Sequence, residues 1–218
     1  ELMQDINEYK QKVLRQQMNP HFIFNTLNSI QYFLLDEDTT SSLTYLTKFA
    51  KMMRIVLDNS QHTFVPVEDE IRGLDLYLEL ESLRFEDSFE YQIHIDKNIN
   101  TFEYKIPALL LQPYVENSIR HGLLHKRDRG MLKISVEMHA DGLFCIIEDN
   151  GIGRNRAEAI KMSKGPLKQS LGSKITEDRV KVLNSLYSDE IDVKYTDLED
   201  SNGKPSGTRV EIKLPFIV

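Results

Sequence analysis

Two textures divide the chain. Up to residue 87 apolar positions recur at helical spacing, and from residue 88 they begin to alternate. Leu2, Ile6, Tyr9 and Val13 stand four, three and four residues apart, the spacing of a coiled-coil seam. Gln16, Gln17, Met18 and Asn19 interrupt that seam, and Pro20 predicts a kink or a fresh helix start. A new apolar face follows at Ile23, Leu27, Ile30 and Leu34. Residues 36–42 read as a turn in which Thr or Ser caps the next helix. That helix carries Leu43, Leu46, Phe49, Ala50, Met53, Ile55, Val56 and Leu57. Pro66 followed by Glu68, Asp69 and Glu70 predicts a helix start, with acids where the helix dipole favours them. Ile71, Leu74, Leu78 and Leu83 continue its apolar face.

Beyond residue 88, Phe89–Ile95 alternates with period two and predicts a strand. Residues 108–121 predict a helix. Met131–Met138 and Leu143–Glu148 predict two strands joined at Ala140-Asp-Gly142. Residues 151–173 read as a loop and 174–187 as a helix, and the last strands fall at Ile191–Tyr195 and Thr208–Leu214. An all-helical front before a mixed back predicts an α+β protein of two domains, residues 1–87 and 88–218.

Composition narrows the function classes. Hydrophobic residues at 40% and charged residues at 28% suit a globular protein. A formal net charge of −7 argues against a nucleic-acid partner, which calls for a basic surface. Cys145 is the sole cysteine, so no intrachain disulfide forms, and its apolar neighbours make it a core residue rather than a nucleophile. No apolar run approaches the ~20 residues of a membrane span. The chain opens on Glu with a helical pattern already under way, which reads as a piece of a longer protein whose anchor lies upstream.

Five constellations carry candidate chemistry. On a helix, positions 21, 25 and 28 fall within roughly 60° of one another at about 100° per residue, so His21, Asn25 and Asn28 share a polar stripe. An exposed imidazole there is a competent phosphoryl nucleophile; the same stripe also serves as a plain helix surface. In Gln112-Pro-Tyr-Val-Glu-Asn-Ser-Ile-Arg-His-Gly122, Glu116, Asn117, Arg120 and His121 group away from the apolar face of Leu111, Val115 and Ile119. An amide oxygen suits Mg²⁺ and a guanidinium suits phosphate, while an ordinary solvated helix would look alike. Asp149-Asn-Gly-Ile-Gly153 follows a strand: the carboxylate can accept from an exocyclic amine and the glycines permit a tight turn, as any strand-to-loop turn would. Ser170-Leu-Gly-Ser173, after Lys161, Lys164 and Lys168, can hold an anion or form a solvated basic loop. Gly207-Thr208 leads into the last strand.

Taken in order, Asn19-Pro-His-Phe-Ile-Phe-Asn25, the Gln112–Gly122 motif, Asp149-Asn-Gly-Ile-Gly153, Ser170-Leu-Gly-Ser173 and Gly207-Thr208 closely resemble sensor histidine kinases of the LytS/YehU type, over essentially the whole chain. The resemblance implies a dimeric four-helix bundle from a helical hairpin or coiled coil, then a Bergerat-type α/β sandwich. It implies that His21 accepts the γ-phosphoryl of ATP and passes it to an aspartate on a response-regulator receiver domain. Asn117 matches the Mg²⁺ ligand and Asp149 the adenine-binding aspartate, with Gly151 and Gly153 shaping the pocket. Arg120 and His121 match the phosphate-facing end, Gly172 the glycine box and Thr208 a threonine near adenine. A homodimer, a missing upstream sensor and membrane segment, and a place on the cytoplasmic face of the bacterial inner membrane follow from the same resemblance.

Two departures stand out. The glycine box usually reads Gly-x-Gly-Leu, whereas Ser170 and Ser173 occupy its ends here. Many histidine kinases carry an acid directly after the phosphoacceptor; here that place is Phe22, so Glu116 becomes the candidate proton acceptor. Asn25, one turn past His21, is the candidate for positioning a water in dephosphorylation of the partner. The rival readings are an ATPase or kinase of the same nucleotide fold acting on another target, and a nucleotide-free dimeric scaffold.

Overall fold

A computed structural model describes residues 20–36, 38–85, 88–163, 178, 180–185 and 191–218, with the backbone alone at 20–21 and 161–163. The predicted seam at Leu2–Val13 and the Ser170–Ser173 segment lie outside the described residues.

Helices α1 (Pro20–Leu35), α2 (Thr39–Ser60) and α3 (Val67–Arg84) pack in sequence. The cap of α2 is Asp38, whose carboxylate accepts the Ser41 N–H at 3.0 Å, rather than the expected Thr or Ser. Helix α3 starts after Pro66 with Glu68, Asp69 and Glu70 in its first turn, as expected. Gly73 lets α2 come close, since a Cβ there would stand 3.2 Å from Ile55 Cγ2.

The apolar face of α1 differs from expectation. Phe22 and Thr26 are buried and Ile30 and Phe33 pack partly inward, whereas Leu27 and Leu34 are 51% and 56% exposed. Each of the first two helices carries two apolar stripes, and periodicity alone does not separate them. The inner stripe packs within the chain. The outer one runs Phe24, Leu27 and Leu34 on α1 and Leu43, Leu46, Ala50 and Leu57 on α2, at alternating steps of three and four that the polar Gln31 and the partly core-packed Met53 complete.

Strands β2 (Phe89–Ile95), β4 (Gly130–His139), β5 (Gly142–Asp149), β6 (Asp192–Glu199) and β7 (Pro205–Leu214) form a five-stranded sheet ordered β2-β4-β5-β7-β6. β2 runs parallel to β4 and every other pair is antiparallel. The short strands β1 (Phe64–Pro66) and β3 (Lys105–Pro107), unforeseen because three residues show no period, pair antiparallel beside α3. Tyr91 of β2 donates its hydroxyl to Asp75 of α3 at 3.0 Å. One apolar core continues from Phe22 through Tyr77 and Leu110 to Ile134 and Leu214.

The predicted 108–121 helix is a composite: α4 (Gln112–Asn117), a π turn (Ser118–Gly122) and a 3₁₀ turn (Leu123–His125). The stretch 151–173, read as a loop, is corrected in part: α5 spans Arg154–Ser163, whose Ala, Glu, Arg and Met are good helix formers. Residues 180–185 are helical, within the helix expected there.

Candidate nucleotide and phosphoacceptor site

The site is built where β5 ends. Asp149 closes the strand opposite Thr208 of β7 and is 3% exposed. Its Oδ1 accepts the Gly151 N–H at 2.9 Å. Burial pushes this carboxyl above the usual carboxylate range, and bonds from the Gly151 N–H, the Ser118 hydroxyl and the Thr208 N–H pull it back. The acid is therefore embedded and held by three donors from three parts of the chain.

Two glycines make room for it. A Cβ on Gly122 would stand 2.8 Å from Asp149 Oδ1, and one on Gly151 would stand 2.5 Å from the Gly122 backbone. Only hydrogen fits at either place, so the end of the π turn and the turn after β5 touch backbone to backbone. The Ile152 N–H donates to the Gly122 carbonyl at 3.3 Å across this contact. Gly153 sits at φ +77°, a left-handed conformation that glycine adopts at little cost.

The π turn redirects the rest of the motif. A π turn widens the helix by one residue per turn and commonly marks functional positions. It buries Ser118 against Asp149 while Asn117, Arg120 and His121 stay half-buried. Arg120 Nη1 meets Glu116 Oε1 at 3.0 Å, one turn apart. The structure thus brings Asp149, Gly151 and Thr208 together with the far end of the Gln112–Gly122 motif. It also engages Arg120 with Glu116 rather than leaving it directed at solvent.

His21 lies in the first turn of α1, and its side chain is outside the described residues. Its neighbour Phe22 is 8% exposed and packs on Tyr77 of α3 and Phe49 of α2, with ring centroids 5.4 and 6.2 Å away. An aromatic ring thus anchors the turn that carries His21. Tyr77 in turn is close enough to Glu116 and Arg120 to feel their charges. Asn25 is half-buried, and its carbonyl accepts the Ser29 hydroxyl at 3.0 Å. Gly172 lies outside the described residues.

Cys145 is fully buried, and its thiol is pushed up to about 12 by that burial, which makes it inert as expected. Ser118 and Gly122 were not singled out from sequence; a serine and a glycine flanking Ile119-Arg-His121 are the only trace of their role. Among the described residues no group of three or more His, Cys, Asp or Glu side chains forms a metal cage. A Mg²⁺ that takes one protein oxygen and several from phosphates needs no such cage, so Asn117 remains compatible with the ion. No helix among the described residues is long and apolar enough to cross a membrane.

Residues 9–89 match the protein family described as Histidine kinase. The sensor protein LytS of Oceanobacillus iheyensis is 34% identical over 165 residues, covering 76% of this chain and 28% of that protein. The sensor histidine kinase BtsS of Escherichia coli strain K12 is 31% identical over 208 residues, covering 94% of this chain and 33% of that protein. Among solved structures, the histidine kinase domain of the Erythrobacter litoralis EL346 blue-light activated kinase aligns with a TM-score of 0.49 at 14% identity, over 96% of this chain and 95% of that one. The chain thus spans about a third or less of the length of the curated relatives it matches. On its motifs and these relatives, the chain belongs to the sensor histidine kinases of the LytS/YehU type.

Proposed function

We propose that this chain transfers the γ-phosphoryl of ATP to His21, from which it passes to an aspartate of a response-regulator receiver domain. The observation that carries this reading is the Asp149 carboxylate, buried in a cradle of Gly122 and Gly151 that any Cβ would fill, on a chain whose α1 carries the Asn19-Pro-His21 motif. An embedded, oriented acceptor suits an exocyclic amine of adenine, with Gly153 four residues on and Thr208 opposite in the sheet.

Asn117 supplies an amide oxygen for Mg²⁺, which would neutralise phosphate charge when bound. Arg120 and His121 lie along the same turn and would meet the phosphates. Phosphoryl transfer asks little covalent chemistry of the protein, so positioning and charge are the main contributions. Phe22 holds the His21 turn against α2 and α3. Glu116, oriented by Arg120, takes or orients the imidazole proton; full autophosphorylation by Glu116→Gln would remove it from that role. Asn25 positions the hydrolytic water for dephosphorylation of the partner, and an unchanged rate with Asn25→Ala would remove that role.

The outer heptad stripes of α1 and α2 support a homodimeric four-helix bundle. We assign residues 1–87 to dimerisation and phosphoacceptance and 88–218 to ATP binding. In the full-length protein an upstream sensor and membrane segment would place this portion on the cytoplasmic face of the bacterial inner membrane. The direct test of nucleotide use is a melting shift with Mg·ATP, because a ligand that binds the folded state alone must stabilise it. No shift at millimolar nucleotide would contradict the reading.

A further inference from the structure

We infer that Glu70 is a positioning residue for the nucleotide site: from inside α3 it caps the start of α4 and so sets where Glu116 and Asn117 stand. This rests on the reading of Asn117 and Asp149 as a nucleotide site.

Helix α4 has no cap of its own. Its N-cap is Leu111, whose side chain makes no capping bond, and a proline stands in its first turn. Helix beginnings leave N–H groups without partners inside the helix, and a buried one must find a partner elsewhere. The residues leading in are sealed from water: Ala108, Leu109, Leu110 and Leu111 are all 5% exposed or less.

Glu70 fills this need from about forty residues upstream. It is 3% exposed. Its Oε2 accepts the Leu109 N–H at 2.6 Å and its Oε1 accepts the Leu111 N–H at 3.1 Å. Two such bonds on one carboxyl group fix direction as well as distance. Leu109 has φ +57°, a left-handed conformation that a leucine seldom adopts and that persists where its surroundings over-determine it. From the other side, the Ala108 N–H donates to the Thr63 carbonyl at 3.0 Å.

The helix that supplies Glu70 also supplies Tyr77, against which Phe22 packs. One rigid element therefore touches both the turn that holds His21 and the start of the helix that holds Asn117. A shift of α3 relative to α4 alters both at once.

The test compares the intact chain with Glu70→Gln, which keeps the shape but offers one acceptor oxygen and turns an NH₂ toward the other amide. Two quantities are measured: backbone hydrogen exchange residue by residue, and affinity for Mg·ATP. The expected result is exchange at least tenfold faster at Leu109, Leu111 and through Gln112–Asn117, unchanged exchange in β5 and β7, and about tenfold weaker Mg·ATP binding. Glu68→Gln, one residue pair away on the same turn and bonded to Thr101, should leave both quantities at the native level. Glu70→Asp keeps the charge but reaches one amide, so it should give a smaller change of the same pattern and serves if the Gln variant does not fold. Unchanged exchange at Leu109 and Leu111, a rise spread evenly into β5 and β7, or native affinity despite local opening would each overturn the inference. A native chain that fails to bind Mg·ATP would instead sink the nucleotide reading, and the exchange pattern would still decide the role of Glu70.

Discussion

Two buried carboxylates summarise how the two halves of the molecule differ. Asp149, at the end of β5, is 3% exposed and held by donors from Gly151, Ser118 and Thr208. Glu81, near the end of α3, is 1% exposed, yet only one of its oxygens is engaged, with Arg84 at 3.0 Å. Tyr45, which feels the Glu81 charge, is buried too, with its hydroxyl beside those of Thr26 and Ser29. A buried polar atom without a partner costs about 1–3 kcal/mol, and among the described residues Glu81 Oε2 is such an atom. The sheet half is a finished, satisfied site. The helical half joins a half-engaged buried carboxylate inside to an exposed apolar stripe outside.

The largest effect is expected inside the helical half. Phe22→Ala removes a buried ring that bridges α1 to α2 and α3, and should cost about 3–5 kcal/mol of unfolding free energy in denaturant titration. A loss below about 1 kcal/mol would mean that α1 is not docked on α3 as described. At the sheet end, Asp149→Asn should weaken Mg·ATP binding on the order of a hundredfold, about 2.8 kcal/mol, by calorimetry. The same change should not lower the melting temperature of the nucleotide-free protein at neutral pH, because it removes a buried charge while keeping an acceptor for the Gly151 N–H.

The pH dependence has a definite sign. The Asp149 pKa is raised in the folded state, so its contribution to stability is fully present below the ordinary value of 3.8 and is lost as pH rises through the folded pKa. Asp149→Asn should flatten that part of the stability–pH curve. An unaltered curve would show that burial does not govern this carboxyl.

Smaller effects belong to the helical half. Leu27→Glu together with Leu46→Glu places charge on the two outer stripes and should weaken self-association tenfold or more in sedimentation, leaving the fold intact. Unchanged association would locate the dimer contact elsewhere. Smallest of all, Glu81→Gln should change stability at neutral pH by less than about 1 kcal/mol, since relief of the buried charge offsets the lost pairing with Arg84. Burial raises the Glu81 pKa despite Arg84, so the native chain should lose stability as pH rises from 4.5 through the folded value, and the variant should lose less.

What was legible in sequence follows from how locally each feature is encoded. β2 announces itself by alternation, β4 and β5 by the turn at 140–142 that joins them, and Asp149, Gly151 and Thr208 by motif. Leu27 and Leu34 of α1 read as core in the sequence because periodicity alone does not separate their stripe from the inner one of Phe22, Thr26, Ile30 and Phe33. Strands β1 and β3 are too short to show a period. Glu70 was hidden among three acids that all suit a helix N-terminus, and only the fold reveals that it reaches Leu109 and Leu111. Gly122 acquires its meaning only when Asp149, far along the chain, closes against it.

The central proposal is that His21 takes phosphate from a nucleotide at Asp149 and Asn117. Incubation of the native chain and of His21→Gln with γ-labelled ATP and Mg²⁺, followed by acid treatment, tests this most directly. The native chain should take up label that acid releases, and His21→Gln should take up none while still binding Mg·ATP. Equal, acid-stable labelling of both chains would contradict it.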